Sequence, residues 1–196
     1  MKRLISIISI LIILIFHSIS GAGIISNLSI VARKMAVTNC SGTAGNTAES
    51  AESVAISGNN MGILYRVTDG CAGGTITSVD VRGRYLGTLS GYNFTVIAYA
   101  DNSGDIGDLL GYEVSTTAYS NPLITHNVTC SILTPSNTFW LGIVMEGSNC
   151  NLNQPAATGP SFKYATLTSY SNPDTTWPTG SDADFSNRST EVHANY

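Results

Sequence analysis

The sequence predicts an all-β fold, a sandwich or a barrel built from many short strands. Short runs rich in β-branched and aromatic residues recur along the chain, and turn-forming pairs such as Asp69-Gly70 and Asn172-Pro173 separate them. No amphipathic helical pattern longer than two turns interrupts them. Such near-regular spacing of short strands is typical of β-sandwiches and β-barrels.

The beginning of the chain is typical of a secretory signal peptide. Lys2 and Arg3 precede the apolar run Leu4–Phe16, and the small residues Gly21 and Gly23 follow it. The run is too short to span a bilayer comfortably. We therefore expect residues 1–23 to be a signal peptide and the protein to be secreted or held at the cell surface, with no membrane contact after cleavage.

Two stretches precede the first clear strand. Residues 24–37 are apolar and β-branched with partial alternation, whereas residues 41–53 are small and polar, which is typical of a loop or a weak helical turn. We assign residues 24–53 to an extended N-terminal segment and linker, and residues 54–196 to the β-domain. Within that domain we expect strands at 62–68, 75–82, 93–100, 109–117, 123–131, 138–145, 162–169 and 189–196.

The low charge of the chain disfavours two classes of partner. Only 11% of the residues are charged, and removing Lys2 and Arg3 with the leader leaves 7 basic against 13 acidic residues, a net charge near −6. This balance disfavours binding to nucleic acid and to anionic lipid. A surface of Ser, Thr, Asn and Gly suits packing against copies of itself or against glycans, although it is equally common in secreted β proteins.

Four cysteines follow the leader: Cys40, Cys71, Cys130 and Cys150. An even count in an exported chain favours two disulfides, for which three connectivities exist. We prefer Cys40–Cys71 and Cys130–Cys150, because each closes a local loop and a loop of about twenty residues contributes roughly 3 kcal/mol. A zinc site is disfavoured, since the chain has no C-x-x-C pair.

The segment Val96–Gly111 (VIAYADNSGDIGDLLG) resembles a strand–loop–strand phrase of a jelly-roll sandwich domain in bacterial surface and exported proteins. Phe139–Val144 and Asn172–Pro178 resemble later segments of the same family, and Ile106 departs from its usual proline. The resemblance implies a jelly-roll-like antiparallel β-sandwich of about eight to nine strands over most of residues 62–196. It implies an adhesive, glycan-binding or structural role.

The loop at residues 101–108 is a candidate calcium site. Asp101, Asp105 and Asp108 lie within eight residues, and carboxylate oxygens are the ligands that Ca²⁺ prefers. The loop lacks the glycine and the distal glutamate of an EF-hand register. In the family that it resembles, the same loop is a turn capped by the residue at the Asp101 position. We expect no other cofactor.

The two tryptophans have different expected roles. Trp140 lies in a strongly apolar run and is expected in the core. Trp177 lies in a proline-containing loop and, with Tyr170 and Tyr119, is a candidate stacking platform for sugars. The alternative, which the family phrase favours, is that Trp177 plugs one end of the sandwich.

We assign no catalytic residues. Outside the leader the histidines are His126, in an expected strand, and His193 near the C-terminus, and no nucleophile elbow, metalloprotease helix or phosphate-binding loop occurs. An enzyme is therefore not expected. Five N-x-S/T sequons are candidate glycosylation sites, at Asn27, Asn39, Asn93, Asn127 and Asn187.

Residues 24–37 are the sharpest functional lead. An extended apolar segment, with Ile25, Leu28, Ile30 and Val31 as its candidate pairing residues, completes a sheet either within its own chain or in a neighbour. Donation to a neighbour is a non-closing contact and generates a filament, which resembles the donor-strand logic of pilus and fibre subunits. We expect a secreted, non-enzymatic structural subunit that self-assembles into an extracellular fibre or surface layer. The alternative is a carbohydrate-binding or adhesive module whose partners are extracellular glycans.

Overall fold

A computed structural model describes residues 40–45, 47, 53–56, 59–85, 93–116, 118, 124–147, 150–153, 162–178 and 191–196, and only the backbone at 53–56, 83–85, 150–153 and 162. These residues belong to one unit, Thr38–Tyr196. The expected signal peptide and the segment 24–37, with its pairing residues Ile25, Leu28, Ile30 and Val31, lie outside them. The described residues contain no helix of the length and apolarity that a membrane crossing requires.

The described part of the chain folds into two antiparallel sheets of eleven strands in total. The strands are β1 (Thr43–Gly45), β2 (Ser53–Ile56), β3 (Met61–Val67), β4 (Gly74–Tyr85), β5 (Phe94–Asn102), β6 (Asp105–Val114), β7 (Ile124–Thr134), β8 (Phe139–Met145), β9 (Cys150–Asn153), β10 (Phe162–Thr166) and β11 (Val192–Asn195). The five-stranded sheet has the order β10-β3-β8-β5-β6. In the six-stranded sheet, β4 pairs with β7 along one edge and with β11 and then β9 along the other, and β1 and β2 extend β11 and β9. The predicted all-β sandwich is confirmed.

Each of the eight predicted strands overlaps an observed one, but three short strands are additional. The strands β1, β2 and β9 each contain three or four residues. Thr43–Gly45 falls in the stretch that we expected to be a loop, and it pairs instead with β11, where Ala44 opposes Ala194. Segments of three or four residues are too short to show a periodicity of apolar residues in the sequence. Whether they form strands depends on the partner strand that supplies their hydrogen bonds.

The main core lies between the sheets and follows the alternation of the strands. On the five-stranded sheet Phe139, Leu141 and Ile143 point inward from β8, and Val79 and Val81 face them from β4, all of them fully buried. The hydroxyl of Tyr65 in β3 donates to the carbonyl oxygen of Val192 in β11, which ties the two sheets together. Trp140 is buried, as expected, but in a second cluster on the opposite side of β8.

That second cluster occupies the outer face of the five-stranded sheet and is covered by residues 167–178, which we call the strap. The strap leaves edge strand β10 and reaches the opposite edge at β6, where Leu109 N donates to Thr175 O over 2.8 Å. Four strand spacings separate these edges, roughly 19 Å. The carboxylate of Asp174 accepts from Thr168 N (2.9 Å), and the backbone oxygen of Asp174 accepts from the Tyr99 hydroxyl (2.7 Å).

One of the two preferred disulfides is present and the other is wrong. Cys40 and Cys71 are bonded, with their Cα atoms 6.0 Å apart, which is compatible with an oxidising extracellular compartment. Cys130 is a free thiol. On β7 it lies between residues that oppose Ile76 and Ser78, whereas Cys150 opposes Tyr85, some eight residues further along β4. This separation of roughly 26 Å far exceeds the Cα distance of about 7 Å that a disulfide tolerates.

Candidate functional site

The segment that resembles the family phrase is a tight hairpin between β5 and β6. Asn102 opposes Asp105, so Ser103 and Gly104 alone make the turn, with φ angles of 57° and 102°. Two consecutive positive φ angles define the type I′ turn that suits the twist of a hairpin. Directly before it, Asp101 accepts from Nε and Nη2 of Arg66 at 2.7 and 2.8 Å. These hydrogen bonds lower the pKa of the Asp101 carboxyl.

The hairpin does not bring the three predicted calcium ligands together. Asp101 is paired with Arg66, the exposed Asp105 faces Lys163 Nζ at 3.8 Å, and Asp108 forms a backbone bridge with Thr176 of the strap. Among the described residues no three acidic, histidine or cysteine side chains form a metal-sized group. The predicted calcium site is wrong because the chain turns over in only two residues and the three aspartates then have different partners. A calcium-binding loop is longer and folds its carboxylates around one cation.

The aromatic platform is also wrong, because Trp177 is buried with 6% of its surface exposed. Its ring meets Tyr99 edge-to-face, with centroids 5.7 Å apart at 82°, and a Cβ at Gly62 would lie only 3.1 Å from its Cη2. Tyr170 packs half-buried against the same cluster, and Tyr119 lies outside the described residues. Trp177 is buried as the alternative expected, although over the face of a sheet and not at the end of the sandwich.

The outer face of the six-stranded sheet carries a polar cluster that the sequence reasoning missed. We call Ser78, Asp80, Asn127, His193 and Asn195 the polar face. The Asp80 carboxylate accepts from Asn127 Nδ2 (2.7 Å) and Asn195 Nδ2 (2.8 Å) and lies 3.0 Å from His193 Nε2. Three neighbouring strands, β7, β4 and β11, supply these partners. The sequence signal that could have revealed this cluster is the alternation of polar residues at 78 and 80 and at 193 and 195, which puts each pair on one face of its strand.

The polar face contains the residue types of a hydrolase triad without its geometry. Ser78 Oγ accepts from Asn127 and Asn195 at 3.2 and 3.0 Å, and in the described hydrogen bonds it has none with His193. A nucleophile needs a base on its hydroxyl, whereas the described hydrogen bonds of Ser78 connect β4 to β7 and β11. His126 points inward instead, edge-to-face with Phe94 at 5.5 Å, and burial lowers its pKa.

Next to the polar face, the outer edge of β7 has no partner among the described strands. This strand is eleven residues long, and its sequence ITHNVTCSILT contains no proline and no Asp, Glu, Lys or Arg. Leu133 is 59% exposed and Ile124 is 38% exposed. Other described edges are short, as in β1, or carry charge, as Lys163 does in β10. Long uncharged edges are templates for pairing with another chain.

The inner side of β7 packs against β6 through partly apolar side chains. A Cβ at Gly111 in β6 would lie 3.1 Å from Ile132, so the two strands pack closely at that point. Leu110 and Cys130 border the core while keeping some exposure, and Tyr112 is exposed. Burial and the charge of Glu113 raise the pKa of the Cys130 thiol to about 11.

Two of the five sequon asparagines are described, and both amides are engaged. Asn93 Nδ2 donates to Glu146 Oε2 over 2.8 Å, and Asn127 Nδ2 donates to Asp80. Asn27, Asn39 and Asn187 lie outside the described residues, and glycosylation at all five stays a prediction.

No family model, no curated protein and no solved structure matches this chain. The jelly-roll family resemblance therefore stays a prediction, and the function has to be argued from the geometry of the chain itself.

Proposed function

We propose that this protein is an exported, non-enzymatic structural subunit whose copies assemble by adding a strand to the free edge of β7. The observation that carries the proposal is that edge: an eleven-residue strand without proline or formal charge, whose outer side has no partner among the described strands. Natural β proteins block exposed edges with charges, prolines or bulges, because an open edge recruits other strands. Of these devices β7 has only a register shift between Thr129 and Ile132. An edge left open over this length supports a pairing role.

The donor in this proposal is the segment 24–37 of a neighbouring copy. It is apolar, β-branched and long enough to match β7, and Ile25, Leu28, Ile30 and Val31 are its candidate pairing residues. Each copy then donates one strand and accepts one. Such a contact is heterologous and does not close, so its product is a fibre or a layer outside the cell.

The polar clusters of the described residues support a non-enzymatic role. The carboxylates of Asp101 and Asp80 each accept hydrogen bonds from neighbouring side chains, although Nδ1 of His193 beside Asp80 is buried without a partner among the described residues. Both arrangements connect strands, and neither presents an activated nucleophile. The alternative function, carbohydrate binding, has lost its expected platform because Trp177 of the strap is buried against the five-stranded sheet.

Electron microscopy of the secreted protein tests the proposal with a matched pair of variants. Leu133 on β7 and Thr75 on the inner strand β4 oppose each other on the same face, and both are exposed. Leu133→Lys places a charge on the free edge, whereas Thr75→Lys places the same charge one strand further in. We expect filaments from the native protein and from Thr75→Lys, and dispersed particles from Leu133→Lys.

Deletion of residues 24–37 completes the test. The shortened protein is expected to remain dispersed, because it has the acceptor edge and no donor. Dispersed particles from the native protein, or filaments from the deletion variant, would overturn the proposal. The next experiment would then be a glycan-array screen for the alternative function.

A further inference from the structure

The central part of the donor segment 24–37 and the acceptor strand β7 both alternate between apolar and polar residues. This alternation fixes which face of the donor turns toward the core. Resting on the proposed function, we infer that Leu28, Ile30 and Ala32 of a neighbouring copy pack inward beside Cys130, while Asn27 and Ser29 extend the polar face.

The acceptor has two different sides. The inward residues of β7 include the buried Val128 and Ile132 and the half-buried Cys130. Its outward residues at alternating positions are exposed: Thr125, Asn127, Thr129 and Ser131 are polar, and Leu133 at the end of the strand is apolar. An added strand continues both sides of the pleat, so it needs an apolar face inward and a polar face outward.

The central part of the donor, residues 27–33, offers that division in one phase. Its even positions read Leu28, Ile30 and Ala32, and its odd positions include Asn27, Ser29 and Arg33, with the apolar Val31 as the exception. On either side of this central part both phases are mixed. A one-residue slip would turn Asn27, Ser29 and Arg33 toward the core, where each unpaired polar group costs free energy.

The surface beside β7 argues for a strand that comes from another copy. Tyr112 and Ile124 are exposed in the single chain, so the apolar surface at this side of the sandwich is left uncovered. The carboxylate of Glu113, which acts on Cys130, matches the positive charge of Lys34, which shares the even phase of the donor. An inward residue on an added strand lies about 5 Å from its cross-strand partner, Cβ to Cβ. Cys130 is therefore within disulfide reach of an inward donor position.

Cysteine scanning of the donor tests the inference in the full-length secreted protein. Leu28→Cys, Ile30→Cys and Ala32→Cys are oxidised one at a time with diamide, which takes up the two electrons and two protons released as each disulfide forms. Because burial raises the pKa of the Cys130 thiol to about 11, the reaction is run in mildly alkaline buffer. We expect an SDS-stable ladder of linked chains from at least one inward position.

Outward variants are the matched controls. Asn27→Cys and Ser29→Cys are expected to give no ladder, and combining Cys130→Ser with the reactive inward variant is expected to abolish its ladder. Equal cross-linking from inward and outward positions overturns the inference. So does a cross-link confined to single chains, which would make the segment a strand of its own sandwich.

The same preparations separate this inference from the proposed function. Filaments without a ladder at any inward position leave the structural role standing and overturn the assignment of the donor face. Dispersed particles without a ladder overturn both.

Discussion

The outer faces of the two sheets meet solvent in opposite ways. On the five-stranded sheet the face is apolar, and the strap covers it with Leu167 and Trp177. On the six-stranded sheet the face is polar and partly exposed: Asn127 and Asn195 donate to Asp80, whereas Nδ1 of His193 is buried without a hydrogen-bond partner in the described part of the chain. A sandwich buries only the inner face of each sheet, so an apolar outer face needs a third layer. The polar face needs none, and the edge of β7 beside it has no partner among the described strands.

The largest expected effect comes from removing the cover. Trp177→Ala should destabilise the fold by about 3–5 kcal/mol, because it leaves a cavity over Tyr99 and Gly62. Urea unfolding measures this, and Trp177→Phe serves as the control that retains most of the packing. An unchanged unfolding midpoint for Trp177→Ala would mean that the strap isn't a third layer.

A smaller effect is expected from the polar face. Asp80→Ala removes the acceptor shared by Asn127 and Asn195, but water reaches these partly exposed groups. The loss should be about 1 kcal/mol. Asp108→Ala, an exposed carboxylate outside the network, is the control and should change the free energy of unfolding little. A loss as large as that of Trp177→Ala would contradict the contrast between the two faces.

The ion pair at the rim of the covered face should contribute less and depend on pH. Arg66 is exposed in part, so Arg66→Met should cost less than about 1 kcal/mol near neutral pH. Arg66 holds the folded pKa of Asp101 below its unfolded value, so the pair stabilises the fold above that unfolded value, about 4. This contribution is lost as the pH falls through the folded pKa. Unfolding at neutral pH and at about pH 3 should show the native–variant difference shrinking; a difference that persists in acid would contradict the linkage.

The smallest change in stability is expected at the open edge. Leu133→Lys should alter the free energy of unfolding by no more than about 0.5 kcal/mol, because Leu133 is exposed and touches little of the core. Thermal unfolding of Leu133→Lys beside Thr75→Lys measures this. If Leu133→Lys alone were strongly destabilised, its failure to form filaments would be explained by unfolding and not by a blocked edge.

The comparison also shows where sequence reasoning succeeds. The long strands β3, β4, β5, β7 and β8 were predicted because their apolar alternation and flanking turns are local properties. Cys40–Cys71 was predicted from its short separation. Trp140 was expected in the core because apolar residues flank it on both sides.

The failures all depend on contacts between distant residues. Asp101 looked like a calcium ligand, but its partner Arg66 lies on a neighbouring part of the sheet, 35 residues away in the chain. Trp177 looked like a sugar platform until the strap placed it over Tyr99. Cys130 and Cys150 are near in sequence, and yet β4 holds them at opposite ends of its length. None of these partners is encoded in the local pattern.

By itself, the sequence determined the all-β class, the positions of the long strands and the two-sided alternation of β7, because a strand's side chains alternate with a period of two whatever surrounds it. Only the tertiary structure decided which face of each sheet is covered, which carboxylate is paired and which edge stays open. Those outcomes depend on which strands become neighbours, and neighbours in a β-sandwich are set by long-range hydrogen bonding and burial across the whole fold.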